Sequence, residues 1–246
     1  MDGMTTDRLG AVDHDVWMAL ATTEYARLDD LLRALAPGDW AAPTDCVEWD
    51  VRAMVAHLVG AAEGNARVVE GVRQAMVGRR RYRRDVLVDS INMLQIAERA
   101  DRTPAQLVED LRDAGRRGVA ARRRLPGPVR GIVVPMGPPL GTKPVGYLMD
   151  RIYTRDAWMH RIDIARATGH DLVVTPDHDG VLVADLVAEW ATLHEQPFEL
   201  VLTGPAGLRR ARGSGGERIE IDAIEFARAA AGRLPAEGLL GTIVPF

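Results

Sequence analysis

The sequence predicts a mainly α-helical protein, in which an antiparallel helix bundle precedes a small α+β domain. Apolar residues recur at helical spacing through most of the chain before Gly169. After Gly169, short apolar strand candidates and glycine-rich turns appear between helices. The chain has 246 residues, 47% of them hydrophobic, enough for one larger and one smaller domain. We expect the domains to span residues 1–172 and 173–246.

Capping residues place the first helices of the bundle. A first helix is predicted over His14–Leu35, because a Pro-Gly pair follows it closely. Asp50 is a suitable N-cap for a second helix, which begins at Val51 and fades near Gly78.

The later bundle helices are marked by proline and glycine. A third helix is predicted over Val86–Ala100, and a Thr-Pro-Ala-Gln capping box opens a fourth at Thr103. These two are either separate helices or one kinked helix. The Pro- and Gly-rich stretch Leu125–Pro144 is predicted to be irregular, and such long segments are often functional. Pro144 fits the first position of a last bundle helix over Val145–Thr168.

The second domain is predicted to contain two helices and several short strands. In chain order, we expect a helix over Asp179–Leu193, strands over Phe198–Gly204, Arg209–Gly213 and Glu217–Ile221, a helix from Asp222 to Ala231, and a possible last strand in GLLGTIVPF.

The composition excludes several classes of protein. A single cysteine cannot form an intramolecular disulfide, and no apolar run approaches the roughly 20 residues of a membrane-spanning helix. The first ten residues lack the pattern of a signal peptide. We therefore expect a cytoplasmic protein, monomeric or homodimeric, with no membrane partner. The net charge of −4 argues against a nucleic-acid partner. All basic residues except Lys143 are arginine, which indicates codon bias in a GC-rich genome.

Three residues form the most informative pattern. Asp156 and His160 are four positions apart, so they share one face of a predicted helix. His57 lies in the apolar stripe of the second helix and therefore points toward the bundle interior. A divalent metal could be held by these three side chains, which would leave coordination positions open as in a catalytic zinc site. The alternative is that His57 is an ordinary hydrogen-bonded core histidine.

Four segments resemble the family of mycothiol-dependent maleylpyruvate isomerases. They are Thr44–Gly60, which contains Cys-x-x-Trp and Ala-His-Leu, Asp89–Leu111, Asp150–Asp171 and the tail Ile219–Phe246. They occur in matching order over nearly the whole chain. The resemblance implies a DinB-like up-down four-helix bundle followed by a small C-terminal domain.

The resemblance also implies a metal site and a cofactor. Family members bind a divalent metal, typically zinc, through positions that match His57, Asp156 and His160. The family has Glu where this chain has Asp156, so metal affinity and reaction could differ. Asp163 is the expected carboxylate behind His160; the alternative is a surface ion pair with Arg161 or Arg166.

The implied reaction uses a thiol from outside the protein. Cys46 has no histidine at nearby helical spacing, and we expect it to pack rather than react. Mycothiol would supply the thiolate, which adds to an electrophilic small molecule in a cis–trans isomerisation. The alternatives are a mycothiol S-transferase and a non-catalytic binding or regulatory module.

Cationic and aromatic side chains are the candidates for substrate and cofactor contacts. Arg233 matches an arginine of the family's C-terminal domain and is our candidate for catalysis and cofactor binding. Arg52 and Arg155 are further possibilities for an anionic substrate. Trp158 is our candidate for a cofactor contact beside the metal.

Overall fold

The structure is a computed structural model that describes residues 12–137 and 141–246. The described chain forms two compact units, one of His14–Leu172 and one of Val173–Phe246 together with residues 12 and 13. The first unit is almost entirely helical, whereas the second combines helices with a small sheet. The predicted mainly α fold class is therefore confirmed. The first eleven residues, and residues 138–140 of the predicted irregular stretch, lie outside the described part of the chain.

The first unit contains seven α-helices and one β-hairpin among its described residues. They are α1 (His14–Ala34), α2 (Val51–Ala66), α3 (Val68–Tyr82), α4 (Leu87–Ala97), α5 (Pro104–Arg123), the single turn α6 (Gly127–Arg130), β1 (Val133–Gly137), β2 (Gly141–Pro144) and α7 (Tyr153–Thr168). Helices α1, α2, α5 and α7 form the bundle, and α3 packs with α4 beside α2.

The capping signals set the helix starts correctly. The Asp50 carboxylate accepts a hydrogen bond from the backbone of Ala53 and opens α2. Thr103 forms the predicted capping box with Gln106 at the start of α5. Helices α4 and α5 are separate, which settles the alternative that the sequence left open.

Two predicted helix boundaries are wrong. The second helix does not continue to Gly78, because the extended backbone of Arg67 separates α2 from α3. Pro144 is not the first residue of a helix but the last of β2, paired with Val133. After this hairpin the chain makes π-helical turns over Tyr147–Ile152 before α7 begins. Such turns inside a helix are frequent at functional sites.

The core of the bundle lies between the apolar faces of its four helices. Leu28, Met54, Leu107 and Ile164 come one from each helix, and each is completely buried. Helix α7 ends at Gly169, whose φ of +70° is the left-handed conformation expected of a glycine at this position.

The second unit is a small α+β fold. Its elements are α8 (Asp179–His194), β3 (Phe198–Thr203), β4 (Arg209–Arg212), β5 (Glu217–Asp222) and α9 (Ala223–Ala230). Strand β3 is central, antiparallel to β4 and parallel to β5. The predicted last strand is wrong: GLLG forms a 3₁₀ turn, and the backbone N–H of Val244 bonds to the end of α9 at Ala230 instead of a strand.

Candidate metal centre

His57 projects from the buried helix α2. Its side chain lies two turns beyond the Asp50 N-cap and is 4% exposed. Nδ1 of His57 is 2.8 Å from Oε1 of Gln95, on α4. Nε2 is buried and has no hydrogen-bond partner in the described protein. The ring therefore has one nitrogen fixed from behind and one available to a ligand.

Asp156 and His160 project from one face of α7 toward His57. Oδ1 of Asp156 is 3.3 Å from Nε2 of His160, and Oδ2 is 3.5 Å from Nε2 of His57. One ligand atom from each of the three residues lies within 4.8 Å of the others. The structure thus brings together the three residues that the sequence singled out.

A chain of buried amides determines which nitrogen of His57 carries the proton. Nε2 of Gln74 donates to the carbonyl of Gly60 and to the Glu70 carboxylate, both of which only accept. Oε1 of Gln74 must therefore accept from Nε2 of Gln95, at 2.8 Å. This leaves Oε1 of Gln95 to accept from Nδ1–H of His57. The lone pair of His57 is consequently on Nε2, which faces Asp156.

The far end of this chain is a fixed acceptor. The hydrogen bond from Arg73 lowers the pKa of Glu70, so its carboxylate is ionised. Oε1 of Glu70 accepts from both Gln74 and Arg73. The donor and acceptor in each of these hydrogen bonds therefore cannot exchange roles while Glu70 keeps its charge.

His160 is held in an equivalent way by Asp163. Nδ1 of His160 donates to Oδ2 of Asp163 over 3.1 Å, and Asp163 is 1% exposed. Asp163 therefore does not lie on the helix surface, where the alternative placed it. Sγ of Cys46 lies 3.9 Å from the same carboxylate oxygen. With both Nδ1 atoms acting as donors, both Nε2 atoms face Asp156, and each carries the lone pair when its ring is neutral.

The donor set fits a divalent metal. When both Nε2 atoms are deprotonated, two imidazole lone pairs and a carboxylate face one another, and a cation between them stabilises such an arrangement of acceptors. Ligands placed about 2.1 Å from a tetrahedral zinc ion are about 3.4 Å apart. The observed separations of 3.3 and 3.5 Å agree with that spacing. Backing of each ligating histidine by an oxygen acceptor is usual at metal sites.

The charges of the cluster shift the pKa values of its members. Burial alone would raise the pKa of Asp156, but the fields of His160 and His57 and the hydrogen bond from His160 lower it well below its usual value. Burial would lower the pKa of His160, but the Asp156 carboxylate and the hydrogen bonds to Asp156 and Asp163 raise it well above 6.5. In the absence of metal, a proton on His160 takes the place of the cation.

One aromatic contact was not found from the sequence. The Trp49 ring lies 4.9 Å from the ring of His57 and 5.8 Å from that of His160, between centroids. The sequence showed Trp49 only as part of the Cys-x-x-Trp segment and gave no signal that it reaches both histidines. Trp158, the predicted cofactor contact, is completely buried. Its contact with a cofactor stays a prediction.

The arginine candidates occupy different environments. Arg52 donates to the carbonyls of Ala100 and Arg102, so it links α2 to the turn after α4. Arg155 is completely buried on α7. Arg233 belongs to the second unit, where its guanidinium donates to the carbonyl of Ala231. The role of Arg233 stays a prediction.

Comparison with known proteins gives the family. Residues 21–165 match the family described as mycothiol maleylpyruvate isomerase N-terminal domain. The chain belongs to this family. The matched range contains His57, Asp156 and His160 together with the supports Gln95 and Asp163.

Two solved structures share the fold. They are crystal structures of the mycothiol-dependent maleylpyruvate isomerase and of a mutant with one histidine changed to alanine, with TM-scores of 0.62 and 0.61. Each is 17% identical to this chain, and the match covers 90% of both chains. No curated protein sequence matches the chain. The fold of this mycothiol maleylpyruvate isomerase family member is therefore that of the enzyme, at low sequence identity.

Among the described residues, no helix has the length and apolar character needed to cross a membrane.

Proposed function

We propose that the protein is a mycothiol-dependent metalloenzyme that catalyses cis–trans isomerisation of an electrophilic small molecule by thiolate addition. The observation that carries the proposal is the convergence of the Nε2 atoms of His57 and His160 on the Asp156 carboxylate at zinc-ligand spacing. Family membership and the shared fold support the thiol and the reaction class. The proposal includes residues 1–172 as the metal-binding domain, a cytoplasmic location, and a monomeric or homodimeric state.

His57, Asp156 and His160 would hold the metal, with zinc favoured because nitrogen and carboxylate ligands suit it. When bound, such a metal supplies a Lewis acid that lowers the pKa of a thiol so that thiolate forms near neutral pH.

The other residues orient this centre. Gln95 and Asp163 hold the Nδ1–H groups of the two histidines and keep both rings in place. Trp49 packs against both rings and limits the approach of water from that side. Arg233 is proposed to bind an anionic part of the substrate or cofactor, because guanidinium matches carboxylate geometry. Trp158 is proposed as a further cofactor contact.

Metal content tests the ligand assignment. Protein purified without chelators is expected to contain about one equivalent of metal, and His57→Ala and Asp156→Asn less than a tenth of that. His170→Ala is a matched control, because His170 pairs with Asp39 outside the cluster. Less than a tenth of an equivalent in the natural protein, or full content in His57→Ala, would contradict the assignment.

Incubation with mycothiol and a panel of electrophilic alkenes tests the reaction. An isomerase changes the absorbance of a cis substrate while its mass stays the same. A stable adduct heavier by one mycothiol would instead indicate an S-transferase. Neither change with any member of the panel, in fully metal-loaded protein, would favour a non-catalytic binding module.

A further inference from the structure

Arg122 is a buried cation with unused hydrogen-bond donors. It lies in the last turn of α5 and is 1% exposed. Only Nη1 is bonded: it donates to the carbonyl of Met149 at 2.8 Å and to Oγ1 of Thr154 at 3.4 Å. Nε and Nη2 are buried without a partner in the described protein. Leaving donors of a buried charge unpaired is costly, so this arrangement calls for an anion.

The nearby carboxylate of Asp150 does not supply that anion. Its Oδ1 accepts from Nδ1 of His14 at 2.9 Å, and its Oδ2 accepts from Nη2 of Arg130. Both oxygens are therefore bonded to side chains other than Arg122. Asp150 contributes only a through-space field to Arg122, and burial lowers the pKa of the Arg122 guanidinium.

Two tyrosines are electrostatically coupled both to Arg122 and to Asp156 of the metal cluster. Burial raises the pKa of Tyr25 to about 12, although Arg122 lowers it, and the pKa of Tyr153 is also raised by burial. The Asp156 carboxylate adds to the rise at both. Both phenols are therefore neutral donors at physiological pH. Close packing fixes Tyr25, since a Cβ on Gly115 of α5 would be 2.6 Å from its ring.

A second unpaired polar group lies on the same side of α5. Both amide atoms of Asn65 are buried without a partner in the described protein, and the residue is 9% exposed. Asn65 packs against Gly118, where a Cβ would be 2.3 Å from its Oδ1. Gly118 is one helical turn before Arg122 on α5. Asn65 is also two turns beyond His57 on one face of α2.

The geometry points to an anion subsite in the bundle interior, in which Arg122 binds a carboxylate of the substrate, with Tyr25, Tyr153 and Asn65 as neutral partners. Tyr153 is one turn before Asp156 on α7, and Arg122 contacts Met149 and Thr154 nearby on the same segment. The subsite is thus one to two turns from the metal ligands, on the order of 5–10 Å. A small carboxylic acid can span that distance. The subsite rests on the proposed function for its biological ligand, but anion binding itself does not require it.

Maleate is a suitable probe, because it is a small dicarboxylate and needs no thiol to bind. Calorimetric titration of zinc-loaded protein is expected to show maleate binding that weakens at least tenfold in Arg122→Gln. Arg124→Gln removes an exposed arginine from the same turn and is expected to leave the dissociation constant unchanged. Dimethyl maleate, which has the same shape without charge, is expected not to bind. Zinc content and circular dichroism verify that each variant is folded.

Arg122→Lys provides a second variant should the glutamine not fold. It keeps the charge but cannot reproduce the two parallel N–H donors, so maleate is expected to bind at least threefold more weakly. No maleate binding to the natural protein, or an unchanged constant in a folded Arg122 variant, would overturn the subsite. Since the titration contains no thiol, failure of mycothiol turnover would count against the proposed function alone.

Discussion

Oε1 of Gln95 lies 2.8 Å from Nδ1 of His57 and accepts a hydrogen bond from its N–H. Gln95 is 3% exposed and Gln74 behind it is 2% exposed, so neither amide can turn to water instead. Because Gly60 and Glu70 can only accept, each amide in the chain donates in their direction, and the imidazole must donate to Gln95. This relationship fixes Nε2 of His57 as the nitrogen available to a metal.

Gln95→Leu is expected to weaken zinc binding by about 10- to 100-fold, because the His57 ring loses the acceptor that orients it. Zinc affinity is measured by competition with a chromogenic chelator. Gln196→Leu, at an exposed loop position, is the control and should bind zinc as the natural protein does. Equal affinity in Gln95→Leu would show that the amide chain does not position the ligand.

The stability of the metal-free protein and its affinity for zinc are expected to depend on pH in different ways. The pKa of His160 is raised, so its stabilisation of the fold is complete below 6.5 and disappears as pH rises through the raised value. The pKa of Asp156 is lowered, so its stabilisation is present above 3.8 and disappears as pH falls through the lowered value. If only His160 and Asp156 are considered, the metal-free protein is expected to be most stable between pH 3.8 and pH 6.5.

Zinc affinity should instead increase as pH rises, since His160 must lose its proton to become a ligand. Chemical denaturation of metal-free protein at several pH values, and zinc competition at the same values, measure the two trends. Asp156→Asn removes the largest cause that raises the pKa of His160, so NMR titration of the imidazole should give a lower pKa. A pKa unchanged by Asp156→Asn would contradict the charge coupling.

Arg161 of α7 and Glu24 of α1 form a buried ion pair. Nε of Arg161 is 2.5 Å from Oε1 of Glu24, and the residues are 2% and 0% exposed. Arg161→Met is expected to lower the free energy of unfolding by about 3–5 kcal/mol, because the buried carboxylate of Glu24 loses its ion pair with Arg161. Adding Glu24→Leu should recover much of the loss. The exposed pair of Arg33 and Asp29 is the control, and Arg33→Ala should cost less than about 1 kcal/mol.

Gly78 allows α3 and α4 to approach closely. A Cβ at Gly78 would be 2.7 Å from the backbone oxygen of Ser90, which cannot move without shifting α4. Gly78→Ala is expected to destabilise the protein by about 1–3 kcal/mol in urea denaturation, despite the better helix propensity of alanine. Gly38→Ala, where no atom lies within 4 Å of the added Cβ, should be nearly neutral. Equal stability of the two variants would contradict this steric argument.

Local patterns predicted what depends on neighbouring residues. The Asp50 cap, the Thr103 capping box and the glycine after α7 were readable because capping hydrogen bonds join residues only a few positions apart. The end of α2 at Arg67 could not be predicted, since α2 and α3 follow one another without a glycine or proline at the junction. The prediction of a last strand was wrong because a strand forms only beside a partner strand, and the local sequence does not show whether such a partner is present.

The sequence by itself determined the mainly α fold, the positions of the capped helix starts, and the pairing of Asp156 with His160, since four residues along a helix share a face. Only the tertiary structure decided that Gln95 orients His57, that Trp49 touches both histidines, and that Cys46 lies beside Asp163. It also left Arg122 buried with two unpaired donors. These contacts join residues far apart in the chain, and helix packing rather than local spacing brings them together.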